Sequence, residues 1–301
     1  LLARPSTSKS VCRVEMQREE GGSRPNSIMP VATKEDVTKT MYGAAIFDVD
    51  KMDGDKEPSE ASAACAKMRR FIFSSLSIED RDRLGALVKQ LGAEVCSDFD
   101  DSVTHLCCGS IIRNVKLMRA VCAGKYVIVP EYIEGSHNAG RWLEESDFEW
   151  GSEANISKHT FENSRQEKLA AACHRWRVRV KETSRKAFDG WCVLFYCNQR
   201  RLPDLAKIVE DGGGTWRWRD DVTLTPDTVN TFTVALIERS QYWTVLEIDT
   251  LIDRGLRCYP LDYLSTYLME TDLNPDKFLH KDYAARLKAK DFVKLLPVMK
   301  G

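Results

Sequence analysis

The sequence predicts an α/β protein of two repeated units, each a four-stranded parallel sheet flanked by helices, packed in tandem through a linker helix. Three observations carry this. From Arg70 onward, short apolar runs alternate with helix-period segments, as right-handed β-α-β crossovers require. The same pattern returns about 120 residues later, so the unit is duplicated. Between the copies, "SRQEKLAAACHRWRVRVKETSRK" runs without Gly or Pro and suits one long helix.

Residues 1 to 67 mix Ser, Thr, Pro, Gly and charge without apolar periodicity, which predicts a tail or interdomain linker. "AAIFDV" is its one strand-like island, and Ser6, Thr7 and Ser8 are kinase-accessible in type. The chain opens on Leu1 rather than Met, which reads as the C-terminal part of something longer.

The first unit is expected over 68–152. "RFIF" is a buried-strand run, and Leu84, Leu87, Val88 and Leu91 share a helical face before a Gly stop. Ser77-Ile78-Glu79-Asp80 fits the S-x-x-[DE] box that starts that helix. "AEVC" and "VTHLCCG" read as strands, "NVKLMRAVCAG" as a helix, "YVIVP" as a strand and "EYIEGSHNAG" as a closing helix.

The linker is expected over 153–187. From Ser164 to Lys186 it holds eight Lys or Arg against two Glu, a net +6. Leu169, Ala172, Cys173, Trp176 and Val180 fall on one face, which predicts that this stripe packs the two units together. The basic face is then solvated, or touches an acidic partner such as DNA.

The second unit is expected over 188–280 and a C-terminal helical tail over 281–301. "LAKIVEDGGGTW" repeats the spacing of "LGALVKQLGAEV", and "YPLDYL" that of "VPEYI".

Composition limits the function. Lys plus Arg is 44 against 45 Asp plus Glu, so no chain-wide basic field exists to hold nucleic acid. The ten Cys form no CxxC pair and the five His do not join them at ligand spacing, so no metal is expected. Reduced thiols point to a cytosolic or nuclear setting. No run of about 18 apolar residues occurs, so no membrane span is expected. There is no G-x-S-x-G, P-loop or H-E-x-x-H, and Gly212-Gly213-Gly214 follows a helix where a phosphate loop would precede one. An enzyme is therefore not expected, and no cofactor is implied.

One constellation stands out. Ser74-Ser75 closes a predicted strand and Arg113-Asn114-Val115-Lys116 opens a predicted helix. In a parallel α/β layer these lie at neighbouring ends of the sheet, where ligands bind. A hydroxyl, backbone N–H groups, a helix N-terminus and an ammonium are the donors a phosphate dianion needs. On spacing alone, Ser74 and Ser75 could equally be turn residues and Lys116 a solvated helix lysine.

The ordered series "LVKQLGAEV", "SVTHLCCG", "RNVKLMRAVCAGKYVIVPEYI" and "SHNAGRWLEESDFEWG" resembles the BRCT repeat family, and the likeness covers about 69 to 275. Within the family the nearest likeness is to the C-terminal pair of a replication-checkpoint scaffold, through "AGKYVIVPEYIE", "DFEWGS", "LAAACHRWR", "AFDGW" and "YLSTYLME". The resemblance implies a nuclear, chromatin-associated module that binds phosphoserine or phosphothreonine peptides through its first repeat. Ser74 would supply the hydroxyl, Ser75 a backbone N–H and Lys116 the ammonium, with Arg113 and Arg81 in support. Implied partners are phosphorylated checkpoint or repair proteins of helicase or replication-stress-kinase type, with dimerisation on the ligand a further option. Arg175, Arg179, Arg254 and Arg257 are the candidates for reading residues beyond the phosphate, or for plain salt bridges. Arg81 has an alternative partner in Glu79 or Asp82, and Thr104 either braces Lys116 or simply favours the strand. His105 is expected to be structural, and Trp142, Trp150, Trp176 and Trp191 to be core or interface anchors.

Two departures from the family stand out. Tyr132 replaces its usual Trp, adding a hydroxyl that needs a partner. The second repeat's first strand, "GWCVLFYCNQ", ends without Ser-Ser, so phosphate binding is not expected there.

Overall fold

The computed structural model describes residues 68–295, so Ser6, Thr7, Ser8 and "AAIFDV" lie outside the described residues. The first unit runs β1 (Arg70–Ser74), α1 (Ile78–Gln90), β2 (Glu94–Val95), β3 (His105–Cys108), α2 (Val115–Cys122), β4 (Tyr126–Ile128) and α3 (Glu131–Asn138). Its strands are all parallel in the order β2-β1-β3-β4. Such a sheet needs apolar cover on both faces, and the four residues Phe71 to Ser74 are all buried.

A short α4 (Glu153–Ile156) leads into the linker helix α5 (Ser164–Thr183), capped by Asn163 at its start and by a left-handed Ser184 (φ 56°) at its end. The second unit follows: β5 (Cys192–Tyr196), α6 (Leu202–Asp211), β6 (Thr215–Trp218), α7 (Pro226–Val229), β7 (Val234–Ile237), α8 (Val245–Asp253), β8 (Cys258–Pro260) and α9 (Tyr263–Met269). Its strand order β6-β5-β7-β8 repeats that of the first sheet. The final helix, α10 (Lys281–Leu295), packs on α8: Tyr283 is buried, and Arg286 forms two hydrogen bonds to Asp249 at 2.6 and 2.7 Å.

One apolar core runs through both repeats and the linker. It takes Leu169, Ala172, Cys173 and Trp176 from α5, with α2 from the first unit and α9 from the second. The expected stripe is therefore the packing face, and Val180 closes it against Gly124, where a side chain would collide with the valine. Gly151 is fixed more tightly: its φ is +85°, and an added Cβ would run into the backbone of Ala170 and Ala171 in α5.

The tryptophans anchor these contacts. Trp176 Nε1 donates to Leu268 O of the second unit (2.9 Å) and Trp150 Nε1 to Cys108 O (3.1 Å). Trp142 stacks on Phe71 and Tyr132, and Trp191 packs with Phe188, Tyr263 and Tyr267.

Candidate phosphate-binding site

The site begins where β1 ends. Ser74 is paired with Cys108 in register and is 8% exposed, so its hydroxyl is a nearly buried polar group at the C-terminal end of an inner strand. The next residue, Ser75, turns sharply into left-handed backbone (φ 52°), a conformation that costs an ordinary residue roughly 1 kcal/mol or more. No carbonyl among the described residues takes its N–H. Gly109, at the end of β3, lets the facing loop approach: a Cβ there would stand 3.0 Å from Leu76 and 3.2 Å from Ser75 O. Ser77 then caps α1, accepting from Asp80 N at 3.0 Å, as expected.

Helix α2 meets this corner with its N-terminus. Asn114 caps it, taking the Leu117 N–H on Oδ1 (3.0 Å), while Nδ2 donates to Ser74 Oγ (2.9 Å) and Ser75 Oγ (3.4 Å). One of the two Ser74 Oγ lone pairs is thus occupied, and among the described residues no acceptor takes its proton, which leaves it for a ligand. The first turn of α2 contains no acidic residue, whereas that of α1 contains Glu79 and Asp80, so the positive end of α2 is not neutralised from within. Lys116 reaches back over the strand end and donates to Phe73 O at 3.3 Å.

The structure therefore brings Ser74, Ser75 and Lys116 to one corner. Asn114 organises them and was not singled out from the sequence, although an Asn three residues before Leu117 at a helix start is a cap signal. Arg113 turns the other way: its Nη1 lies 3.4 Å from Ser265 Oγ in α9. Arg81 is exposed in the first turn of α1, and among the described residues its side chain forms no hydrogen bond or ion pair with Glu79, Asp82 or the corner.

The four outer arginines are placed otherwise than a shared groove requires. Arg175 Nη2 is spent on the last carbonyls of α9, Leu268 O (2.6 Å) and Met269 O (3.1 Å), with burial pulling its basicity down. Arg179 lies over the Trp176 ring at 4.8 Å. Arg254 caps α8, and Arg257 precedes β8 and pairs with Asp276. Both precede β8, at the opposite end of that strand from Pro260-Leu261-Asp262, which line the groove between the repeats. That groove, of about 320 Å³, is instead flanked by Arg113, Arg201, Asp262 and Ser265.

Half of the linker's eight basic residues, Arg175 among them, are spent inside the chain. Arg177 grips Glu149 through two 2.7 Å bonds, Lys168 pairs with Glu270 at 2.9 Å and Lys186 with Asp101 at 3.3 Å. Among the described residues Arg165, Arg179, Lys181 and Arg185 are left exposed without an acidic partner.

The second repeat fills the matching corner itself. Glu238 follows β7 as Gly109 follows β3; it accepts the Asn198 N–H at 2.8 Å and Arg201 Nη1 at 2.9 Å. A carboxylate of the chain already sits where an incoming anion would, in accord with the eroded motif.

Beneath the first sheet lies a buried polar cluster. His105, 3% exposed, stacks on Phe71 and Tyr126; Thr104 Oγ1 is 2.7 Å from its Nδ1 and bonds Arg70 rather than Lys116. The Tyr132 hydroxyl finds its partner in Glu145 Oε1 (3.0 Å), which also takes Arg69 Nη2 (2.8 Å). Burial would raise the Glu145 carboxyl, but the His105 ring, whose Nε2 lies 3.4 Å away, the Glu145 backbone N–H and Arg69 outweigh it and hold it at about 2, against an ordinary 4.5. Burial pushes His105 below its ordinary 6.5.

Both groups bind protons more readily in the unfolded chain. Their contribution is complete above about pH 6.5 and declines first as unfolded His105 protonates, then between about 4.5 and 2 as unfolded Glu145 does. The melting temperature should fall on acidification in both windows, and Glu145→Gln should flatten the lower one when Tm is followed against pH.

Among the described residues no helix is long and apolar enough to cross a membrane, and no group of three His, Cys, Asp or Glu is arranged to hold a metal.

Comparison with known proteins agrees with this architecture. Residues 70–116 match the family model described as twin BRCT domain. SMC5-SMC6 complex localization factor protein 1 of Bos taurus is 26% identical over 73% of this chain and 20% of its own length. The Homo sapiens protein of the same name is 26% identical over 68% of this chain and 18% of its own. The chain thus spans about a fifth of the curated relatives it matches. The BRCT5-BRCT6 domains of S. pombe Brc1 share the fold with a TM-score of 0.51 at 14% identity, covering 72% of this chain and 99% of that one. The two parallel sheets with their flanking helices are those of a tandem BRCT structure.

Proposed function

We propose that this chain is a phosphopeptide-binding tandem BRCT module, taking phosphoserine or phosphothreonine in its first repeat, within a nuclear scaffold of DNA-damage and replication-checkpoint signalling. The observation that carries the reading is the corner itself. A free hydroxyl proton on Ser74, an unclaimed N–H on Ser75, the acid-free start of α2 and the Lys116 ammonium converge, and among the described residues no carboxylate is bonded to them. The second repeat, which supplies Glu238 at the same place, is the contrast. We read the site as holding a phosphate rather than transferring it, in keeping with the lack, among the described residues, of a group of His, Cys, Asp or Glu placed to hold a metal.

The setting is supported by the likeness to the SMC5-SMC6 complex localization factor and, in the segments "AGKYVIVPEYIE" and "YLSTYLME", to the C-terminal BRCT pair of topoisomerase II-binding protein 1. The partners this favours are phosphorylated checkpoint or repair proteins, a helicase or replication-stress kinase among them, with pairing of two modules on a doubly phosphorylated target as a further step. A second reading, phosphate-independent scaffolding or DNA-end contact, has Arg179, Lys181 and Arg185 in its favour and the net charge of −1 against it. The test is retention of a degenerate peptide library before and after phosphatase treatment. Loss of binding on dephosphorylation supports the reader; unchanged retention, with steeply salt-dependent binding to DNA, supports the second reading.

A further inference from the structure

We infer that the outer edge of β6, in the second repeat, is a docking strand: it takes an extended segment of a partner protein that carries Lys or Arg, and pairs it to the sheet through the backbone. β6 is the outermost strand in the order β6-β5-β7-β8. Thr215 donates its N–H to Trp191 O on the β5 side (2.8 Å), and alternation along the parallel ladder then turns Thr215 and Arg217 toward β5 and Trp216 and Trp218 away from it. Trp216 and Trp218 each present an N–H and a C=O at the edge, and among the described residues no further backbone group bonds them.

The other three outer strands are covered or cut short. The 148–150 segment lies along β4, with Val129 N donating to Phe148 O (3.0 Å) and Trp150 N to Val127 O (2.8 Å). β8 takes the His280 N–H on Cys258 O (2.8 Å) and ends in Pro260. β2 has two residues against the four of β6. Sheets ordinarily blunt an edge by cover, Pro or Lys, and β6 has none of these among the described residues. It is also fixed in place, because Trp216 Nε1 donates to Glu210 Oε1 (2.8 Å) and Trp218 Nε1 to Cys197 O (3.1 Å). An edge already ordered loses little freedom when a strand pairs with it.

Charge selects the occupant. A groove of about 620 Å³ is lined by all four residues of β6 together with Glu210 and Asp221. It adjoins a cleft of about 550 Å³ that shares Asp221 and adds Asp220, Glu247 and the exposed Leu246. Across the two, four carboxylates meet two guanidiniums, Arg217 and Arg219, and Arg219 is already paired with Glu247 at 2.6 Å. Glu210, Asp220 and Asp221 form no ion pair among the described residues. A strand with cationic side chains satisfies the free backbone groups and these carboxylates together, whereas a nucleic acid is repelled. The edge uses no residue of the β1 corner, so the inference does not rest on the phosphate reading.

The test uses the whole chain and an unphosphorylated library of degenerate peptides about ten residues long. Peptides with Lys or Arg at alternate positions should be enriched. With one of them bound, hydrogen exchange followed by NMR should slow at the Trp216 and Trp218 amides and change little at Thr215 and Arg217, which already face β5. Methylating the peptide's amide nitrogens one at a time should weaken binding about tenfold at alternate positions and by less than about twofold at the rest. Asp220→Asn with Asp221→Asn, both outside the core, should weaken the same peptide about fivefold. Absence of basic selection, exchange unchanged at Trp216 and Trp218, or methylation effects without alternation each overturn the docking strand. Protection of those two amides that grows with chain concentration and needs no peptide gives the edge to a second copy of this chain, and overturns the partner proposed here.

Discussion

Lys116→Met is expected to weaken binding of a phosphorylated peptide by about two orders of magnitude while leaving the melting temperature within a degree or two. The ammonium brings a full positive charge to the β1 corner, and its one hydrogen bond among the described residues is to the Phe73 carbonyl at 3.3 Å; the side chain lies outside the buried core, so its replacement opens no core cavity. Truncating one partner of a close charge pair at an interface costs about 2–5 kcal/mol, which sets the scale of the loss. Ser74→Ala should act in the same direction but less strongly, through the loss of one charge-assisted hydrogen bond worth about 1.5–3 kcal/mol. It also strips Asn114 Nδ2 of its better acceptor, leaving Ser75 Oγ at 3.4 Å. Anisotropy titrations paired with thermal melts separate the two effects.

The largest stability effect is expected from Glu149→Ala. This carboxylate is wholly buried between the first repeat and the linker helix, held by Arg177 through both oxygens at 2.7 Å and by His174 Nδ1 at 2.7 Å. Arg177 also lies over the Tyr126 ring at 4.7 Å. Removing the acid leaves a guanidinium that is only 11% exposed without its counter-charge. Breaking such a pair costs about 3–5 kcal/mol, while replacing both partners by apolar groups is often neutral. Glu149→Ala should therefore lower Tm by about 10 °C, at about 2–4 °C per kcal/mol for a domain of this size. Glu149→Leu with Arg177→Met should recover most of it. Equal losses in the single and double variants would show that the cost lies in packing rather than in the unpaired charge.

The architecture was legible because periodicity and punctuation are local. The apolar runs, the Gly-ended helices and the Ser77 box are written in neighbouring residues, and the expected strands and linker helix stand where the sequence put them. The roles of long side chains were not legible, because a guanidinium reaches several ångströms in a direction that tertiary packing decides. Arg175 is turned onto the carbonyl end of α9, where Trp176 Nε1 donates as well, and Arg113 swings to Ser265. Arg254 and Arg257 sit close to β8 in sequence, but proximity to a strand does not say which end of it faces the groove. Arg165 was counted in the linker's net +6, yet its setting against Ser265 emerges only when α5 and α9 pack together. The linker's charge looked available for the same reason: Glu149, Glu270 and Asp101, its neutralising partners, are distant in sequence.

The central claim is that the phosphate of a ligand is held by this corner, and one measurement addresses it directly. Affinities of a selected peptide, phosphorylated and unphosphorylated, are determined by anisotropy against the native chain and against Lys116→Met, closing a double-mutant cycle between the phosphate and the ammonium. A coupling that accounts for most of the phosphate's contribution is the predicted result. A phosphate preference that is the same in both proteins would place the phosphate elsewhere and contradict the account.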